Sequence, residues 1–181
     1  MRRSHSIYAL LGALALGVLL GTSDPLGTGG GDSGDNTGRV IRVVDGDTIQ
    51  VQIGKIRERV RYIGVDTPET RKPGTPVQCY GKAASARNER LVAGERVRIE
   101  TDAEVRDRYG RLLGYVYRVR DGRFVNAELI RGGYAHPLTI APNVRHADVF
   151  ADLAVEARRS GRGLWRECPR ARIRSERPAP G

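Results

Sequence analysis

The chain has 181 residues and carries 31 Lys and Arg against 21 Asp and Glu, a formal charge of +10. That length holds one domain with appendages and leaves no room for two large ones. The positive charge suits a polyanionic partner such as nucleic acid, acidic polysaccharide or an anionic membrane surface, and the scattered His and distant Cys exclude a typical zinc site.

In chain order, "MRRSHS" precedes an uncharged apolar run from Ile7 to Gly21, which ends beside the small residues Thr22 and Ser23. This is the layout of a secretory signal peptide over residues 1–23, and an exported protein, secreted or on the cell surface, is expected. The run falls short of the roughly 20 residues a spanning helix needs, so a membrane is expected as a partner only if this segment stays uncleaved as an anchor. Residues 24–38, "DPLGTGGGDSGDNTG", cannot bury a core and read as a flexible linker. The folded domain is then expected over 39–168, with a basic, proline-bearing, disordered tail over 169–181.

Within the domain, "RVIRVVDGDTIQVQIG" holds two β-branched runs around Asp45-Gly46, a hairpin-turn signal. In "IRERVRYIGV", Ile56, Glu58, Val60 and Tyr62 alternate with Arg57, Arg59, Arg61 and Ile63, which predicts a third strand of a meander. "CYGKAASARNERLVAG" reads as a helix stopped by Gly94, and "RVRIET" and "LLGYVYRV" as two more strands. "VNAELIRGG" predicts a short helix, and "RHADVFADLAVEARRSGRG" a longer one with Val149, Leu153 and Ala157 at four-residue steps. The expected fold is α+β, mainly β: a five-stranded OB-fold barrel decorated by about three helices.

Two acidic stretches invite a functional reading. In "VVDGDTIQV" a plain turn accounts for Asp45-Gly46 but poorly for Asp47. In "VDTPET" the residues make a helix cap, with Asp66 or Thr67 as N-cap and Glu69 completing a capping box, yet Pro73, Gly74 and Pro76 forbid a helix behind it. Asp47 and Asp66 are oxygen donors suited to a hard cation such as Ca²⁺, and Glu69 could hold or deprotonate a water beside it. Arg61 and Arg111 have forked donors that match phosphate, against the commoner fate of solvated surface charges. Arg61 and Asp66 are five residues apart, which in an unbroken strand puts them on opposite faces.

"VVDGDT", "RYIGVDTPET", "CYGKAAS", "DRYGR", "VNAELIRGGYA" and "GLW" occur in the order and near the spacing of the staphylococcal nuclease-like family, the thermonucleases, which the chain resembles from about Arg39 to Cys168. The resemblance implies a helix-decorated OB barrel that hydrolyses phosphodiester bonds in DNA and RNA with Ca²⁺ and leaves 3′-phosphate ends. Asp47 and Asp66 match the family's calcium carboxylates, Thr67 its carbonyl ligand, and Asp45 an acid behind the metal. Glu69 matches the proposed general base, Arg61 and Arg111 the arginines on the scissile phosphate, and Arg108 and Tyr109 the basic residue and tyrosine near the nucleotide's phosphate. Leu138 and Ile140 stand where the prototype carries two tyrosines, which removes surface that could stack on a base.

A noncatalytic OB-fold module that binds nucleic acid is the alternative, and a purely structural calcium site a third reading. A monomer is expected. Cys79 and Cys168 are additions relative to the prototype. Their even count and the expected export favour a Cys79–Cys168 disulfide, which would contribute roughly 4 to 5 kcal/mol by closing so long a loop, with two buried free thiols as the other possibility.

Overall fold

The structure, a computed structural model, describes residues 36–70, 74 and 76–168. The expected signal segment, nearly all of the linker and the basic tail lie outside those residues. Five strands close a barrel in the order β1 (Thr37–Val43), β2 (Thr48–Ile53), β3 (Ile56–Tyr62), β6 (Leu112–Arg118), β5 (Arg96–Glu100). β1 starts two residues before Arg39, so Thr37 and Gly38, expected in the linker, pair with Arg98 and Val97 of β5. The expected OB-type barrel is therefore present: an antiparallel meander β1–β2–β3, one parallel pair β3–β6, and closure through β5–β1.

Why these segments form strands is visible in their inward residues. Val40, Ile49, Val51, Val60, Tyr62, Val97, Ile99 and Val116 are all buried and alternate with outward polar side chains. Each buried aliphatic residue contributes roughly 1.5–3 kcal/mol. Ile56, expected on the same face as Val60, is instead 63% exposed, because it sits against the Gly54-Lys55 turn beyond the reach of the core. That turn is the tight hairpin of the sheet: Ile53 pairs with Ile56, and Gly54 supplies the positive φ it requires.

The helices cover the barrel. α1 (Gly81–Val92) buries Ala84, Asn88 and Leu91, and α2 (Val125–Arg131) buries Val125, Leu129 and Ile130. α3 (Ala147–Arg159) turns Phe150, Ala154 and Ala157 inward. The predicted stripe was displaced by one residue at its start: Val149 is exposed, since the larger Phe150 takes the place between Tyr115 and Phe124. A fourth helix, α4 (Leu164–Glu167), leads to Cys168, which forms a disulfide with Cys79 just before α1. β4 (Gly64–Asp66), its first two residues expected as the end of the third strand, and β7 (His136–Leu138), not expected as a strand, form a separate two-stranded sheet.

Candidate active site

The loop between β1 and β2 is four residues long and is built by its own acids. Val44 and Asp45 donate their amides to Thr48 O, and the Asp45 carboxylate accepts the Asp47 amide at 3.1 Å, an Asx turn. Gly46 is not in a left-handed conformation, so the two-residue Asp-Gly turn is not formed. Its glycine serves close approach instead: a Cβ there would lie 2.5 Å from Thr67 Oγ1.

This contact brings Thr67 onto Asp47. The Thr67 amide and hydroxyl both donate to Asp47 Oδ2 at 2.8 Å, and the Thr48 hydroxyl donates to Oδ1 at 3.2 Å. Asp47 is buried, with 6% of its surface exposed, so these bonds offset the cost of taking its charge out of water.

Arg61 supplies the countercharge. Its Nε lies 3.3 Å from Asp47 Oδ1 and its Nη2 3.5 Å from Asp66 Oδ1, while Nη1 donates to Tyr62 O and Val65 O at 2.8 and 2.6 Å. Opposite faces would have been its fate relative to Asp66 in a continuous strand. β3 stops at Tyr62, and Gly64, with φ of 75°, swings β4 round so that Asp66 meets the guanidinium. A Cβ at Gly64 would collide with the Phe150 ring at 2.3 Å, so the corner is also packed from behind by α3.

Among the described residues no helix follows "DTPET" until Gly81. Glu69 is held as a loop residue: its amide donates to Gln78 Oε1 at 2.5 Å, the Gln78 amide donates to Glu69 O at 2.9 Å, and its carboxylate accepts the Thr70 amide at 2.8 Å. Electrostatics tie it to the cluster. Asp66 is raised above the ordinary carboxylate range by desolvation and by the negative charges of Asp47 and Glu69, with Arg61 opposing. Asp45 is pushed up to about 6, first by burial and then by Asp47.

Arg111 arrives on the adjoining strand. Arg61 pairs with Leu113 in the parallel β3–β6 ladder, so Arg111, two residues before Leu113, falls on the same side of the sheet. From strand geometry the two arginine Cα atoms are about 8 Å apart. Asp107 fixes Arg111 by accepting its Nε at 2.7 Å and its amide at 3.0 Å. At the tip of this turn Arg108 donates to Tyr109 OH at 2.7 Å, and Tyr109, 69% exposed, lies under both Arg108 and Arg111. Leu138 pairs with Gly64 in the β4–β7 sheet, and Ile140 is exposed.

Asp47, Asp66, Thr67 and Arg61 thus form one contact cluster, and Glu69 and Arg111 flank it. Among the described residues no three His, Cys, Asp or Glu side chains gather as a metal-binding group. The expected calcium set would need just two carboxylates with a backbone carbonyl. Sequence reasoning missed Gln78, Asp107 and Asn88, which hold Glu69, Arg111 and the Asp45 loop respectively. Only Asn88 left a trace, as a polar residue four positions after Ala84 on the buried face of α1.

A small closed barrel whose strand ends hold an acid–arginine cluster defines the class. The staphylococcal nuclease homologue family matches residues 59–167, and the chain belongs to that family. It is 39% identical over 134 residues to a thermonuclease of Staphylococcus hyicus, covering 74% of this chain and 78% of the relative. It is 44% identical over 126 residues to a thermonuclease of Staphylococcus intermedius, covering 70% and 74%. The endonuclease YncB of Bacillus subtilis is 42% identical over 126 residues, covering 68% of this chain and 59% of that protein.

Proposed function

We propose that the protein is an exported, calcium-dependent nuclease that hydrolyses phosphodiester bonds in DNA and RNA and leaves 3′-phosphate ends. The observation that carries this reading is the position of Arg61, a phosphate-matching guanidinium set between Asp47 and Asp66 at the ends of β2, β3 and β4. The donors available to a cation fit calcium. They are all oxygens, and Asp66 and Asp45 are raised first by burial and then by the neighbouring carboxylates, a repulsion that a divalent ion would relieve. Asp47, Asp66 and the Thr67 carbonyl would hold it. Asp47 already accepts the Thr48 and Thr67 hydroxyls, donors that can rotate away.

Calcium held there would supply positive charge to the phosphate and would make a nearby water more acidic. The remaining work falls to this chain's side chains. Glu69 takes a proton from the attacking water as its oxygen bonds to phosphorus. Arg61 and Arg111 hold the non-bridging oxygens, where charge accumulates. The bond from phosphorus to O5′ breaks, so the phosphate stays on the 3′ side and the departing O5′ takes up a proton from solvent. Arg108 and Tyr109 sit at the turn tip where the adjoining nucleotide's phosphate would lie. The Cys79–Cys168 disulfide and the arrangement of residues 1–23 support export, with the linker of 24–38 shortened by the residues that join the barrel and 169–181 as tail.

The test is incubation of the purified protein with single-stranded DNA and with RNA, in calcium or in chelator, followed by end-group analysis. Cleavage in calcium alone, with 3′-phosphate products, is expected. Full-rate cleavage in chelator would remove the calcium mechanism, and binding without cleavage would favour a noncatalytic module.

A further inference from the structure

The outward face of the barrel carries an arginine row beside the catalytic cluster but outside it. In the strand register Arg57 of β3 lies opposite Gln52 of β2, Gln52 opposite Arg39 of β1, and Arg39 opposite Arg96 of β5. Paired residues share a face, so these four side chains form one line across four strands, spanning about 14 Å at the usual strand spacing. Arg39, Gln52 and Arg96 also line a cleft with Thr37, Gly38 and Gly54, about 320 Å³ in volume.

The arginines of this face are exposed, and their charge is not neutralised. Among the described residues Arg39, Arg57, Arg59 and Arg96 form no ion pair with an acid, in contrast to Arg98, Arg106, Arg111 and Arg118. Among the described residues the side-chain hydrogen bonds of the row's arginines go to neutral groups: Arg57 Nε donates to Gln52 Oε1 at 3.3 Å and Arg96 Nη2 to Thr37 Oγ1 at 3.0 Å. Unpaired like charges placed side by side repel one another, and a polyanion relieves that repulsion.

The row is joined to the catalytic cluster by a single strand. Arg57, Arg59 and Arg61 occupy alternate positions of β3 and so point the same way, at steps of roughly 7 Å. The last of them is the arginine held between Asp47 and Asp66.

We propose that Arg39, Arg57 and Arg96, with Arg59 as the link, form a track that binds the phosphate backbone of a nucleic-acid strand leading into the catalytic cluster. It rests on the nuclease reading and adds to it a preference for long substrates. The track takes phosphates without reading bases, because guanidinium groups on strands offer charge and forked donors but no groove-specific contact. It makes long chains bind more tightly than short ones, and more so at low salt.

The test compares the parent with an Arg39→Gln, Arg57→Gln, Arg96→Gln variant on a three-nucleotide and a thirty-nucleotide single-stranded DNA. Loss of the track is expected to raise KM for the long substrate roughly tenfold at low salt, to flatten its salt dependence by about two logarithmic units per decade, and to leave the short substrate unchanged. A charge-matched variant, Arg90→Gln, Arg158→Gln, Arg159→Gln, which neutralises exposed arginines of α1 and α3, is expected to keep the parental KM. An equal rise in the matched variant would reduce the effect to net charge and overturn the track, as would an unchanged long-substrate KM in the first variant. Loss of binding to phosphatidylserine vesicles with long-substrate KM intact would make the face a membrane surface and overturn it too. Failure of the parent to cleave either DNA would instead sink the nuclease reading, and long-strand binding by parent and variants would then decide the track separately.

Discussion

Gln78 grips the Glu69 peptide from both sides, accepting its amide at 2.5 Å and donating its own amide to its carbonyl at 2.9 Å. The pair closes the base of the segment that carries the proposed general base, and Cys79, the next residue, is fixed by the disulfide to Cys168. The Gln78 side chain therefore helps to place Glu69. Gln78→Ala is expected to lower kcat about 10- to 100-fold, the penalty typical of misplacing a catalytic group by an ångström, while stability falls by about 1 kcal/mol. Gln78→Glu, which retains a carboxyl acceptor, should recover much of the loss. Steady-state kinetics beside urea unfolding separates the two effects, and an unaltered kcat in Gln78→Ala would show that Glu69 is positioned by other contacts.

The Asp45 carboxyl, raised to about 6, makes stability fall as pH rises. The unfolded chain gives up that proton near pH 4, whereas the folded chain keeps it until about 6, so the folded state loses ground through this window. Asp121 has the opposite sign. Hydrogen bonds from Arg118 hold it down at about 2, and the stability it lends is complete above pH 4 and lost as pH drops towards 2. In chelator, the parent should therefore lose stability between pH 4 and 6, and Asp45→Asn should remove the share of that loss that Asp45 carries, gaining about 2 kcal/mol at pH 7 and nothing at pH 4, while the raised Asp66 keeps its own smaller share. Urea midpoints across pH check this, and parallel curves for parent and variant would contradict it.

Asn88 connects α1 to the acidic loop. It accepts the buried Tyr62 hydroxyl at 2.9 Å and donates to Asp45 O at 2.9 Å. Asn88→Ala leaves both groups without this partner and is expected to cost about 2–4 kcal/mol, whereas Tyr62→Phe should cost about half as much. The double variant should lose less than the sum, since one bond is common to both. A strictly additive cycle would show that the two side chains act independently.

Much of the barrel was legible because its strands have inward Val and Ile at period two, and those residues are the core. The order of the strands was not, since β3 meets β6 through pairing between segments some fifty residues apart, which no local pattern encodes. β4 and β7, three residues each, are too short for periodicity to register. The acids and arginines of the site were readable as types, through "VVDGDT", "RYIGVDTPET" and "DRYGR". Their geometry was not: the meeting of Arg61 with Asp66 depends on the corner at Gly64, and that corner depends on Phe150 from the far end of the chain. Gly46 misled for a related reason, since its purpose is a tertiary contact rather than a turn.

That contact yields the last prediction. An alanine Cβ at Gly46 would stand 2.5 Å from Thr67 Oγ1, 2.7 Å from its Cβ and 2.8 Å from its Cγ2, so Thr67 must retreat. Its retreat breaks two hydrogen bonds to Asp47 Oδ2 and moves the carbonyl proposed as a calcium ligand. Gly46→Ala is expected to destabilise by about 1–3 kcal/mol and to weaken calcium binding, read by calorimetry, at least tenfold. In Gly46→Ala, Thr67→Ala two of the three collisions are gone. The second substitution should thus be less costly in that background than alone, by about 1 kcal/mol in a double-mutant cycle. No coupling between the two positions would mean that the loop absorbs the methyl group elsewhere, and Gly46 would return to being a turn residue.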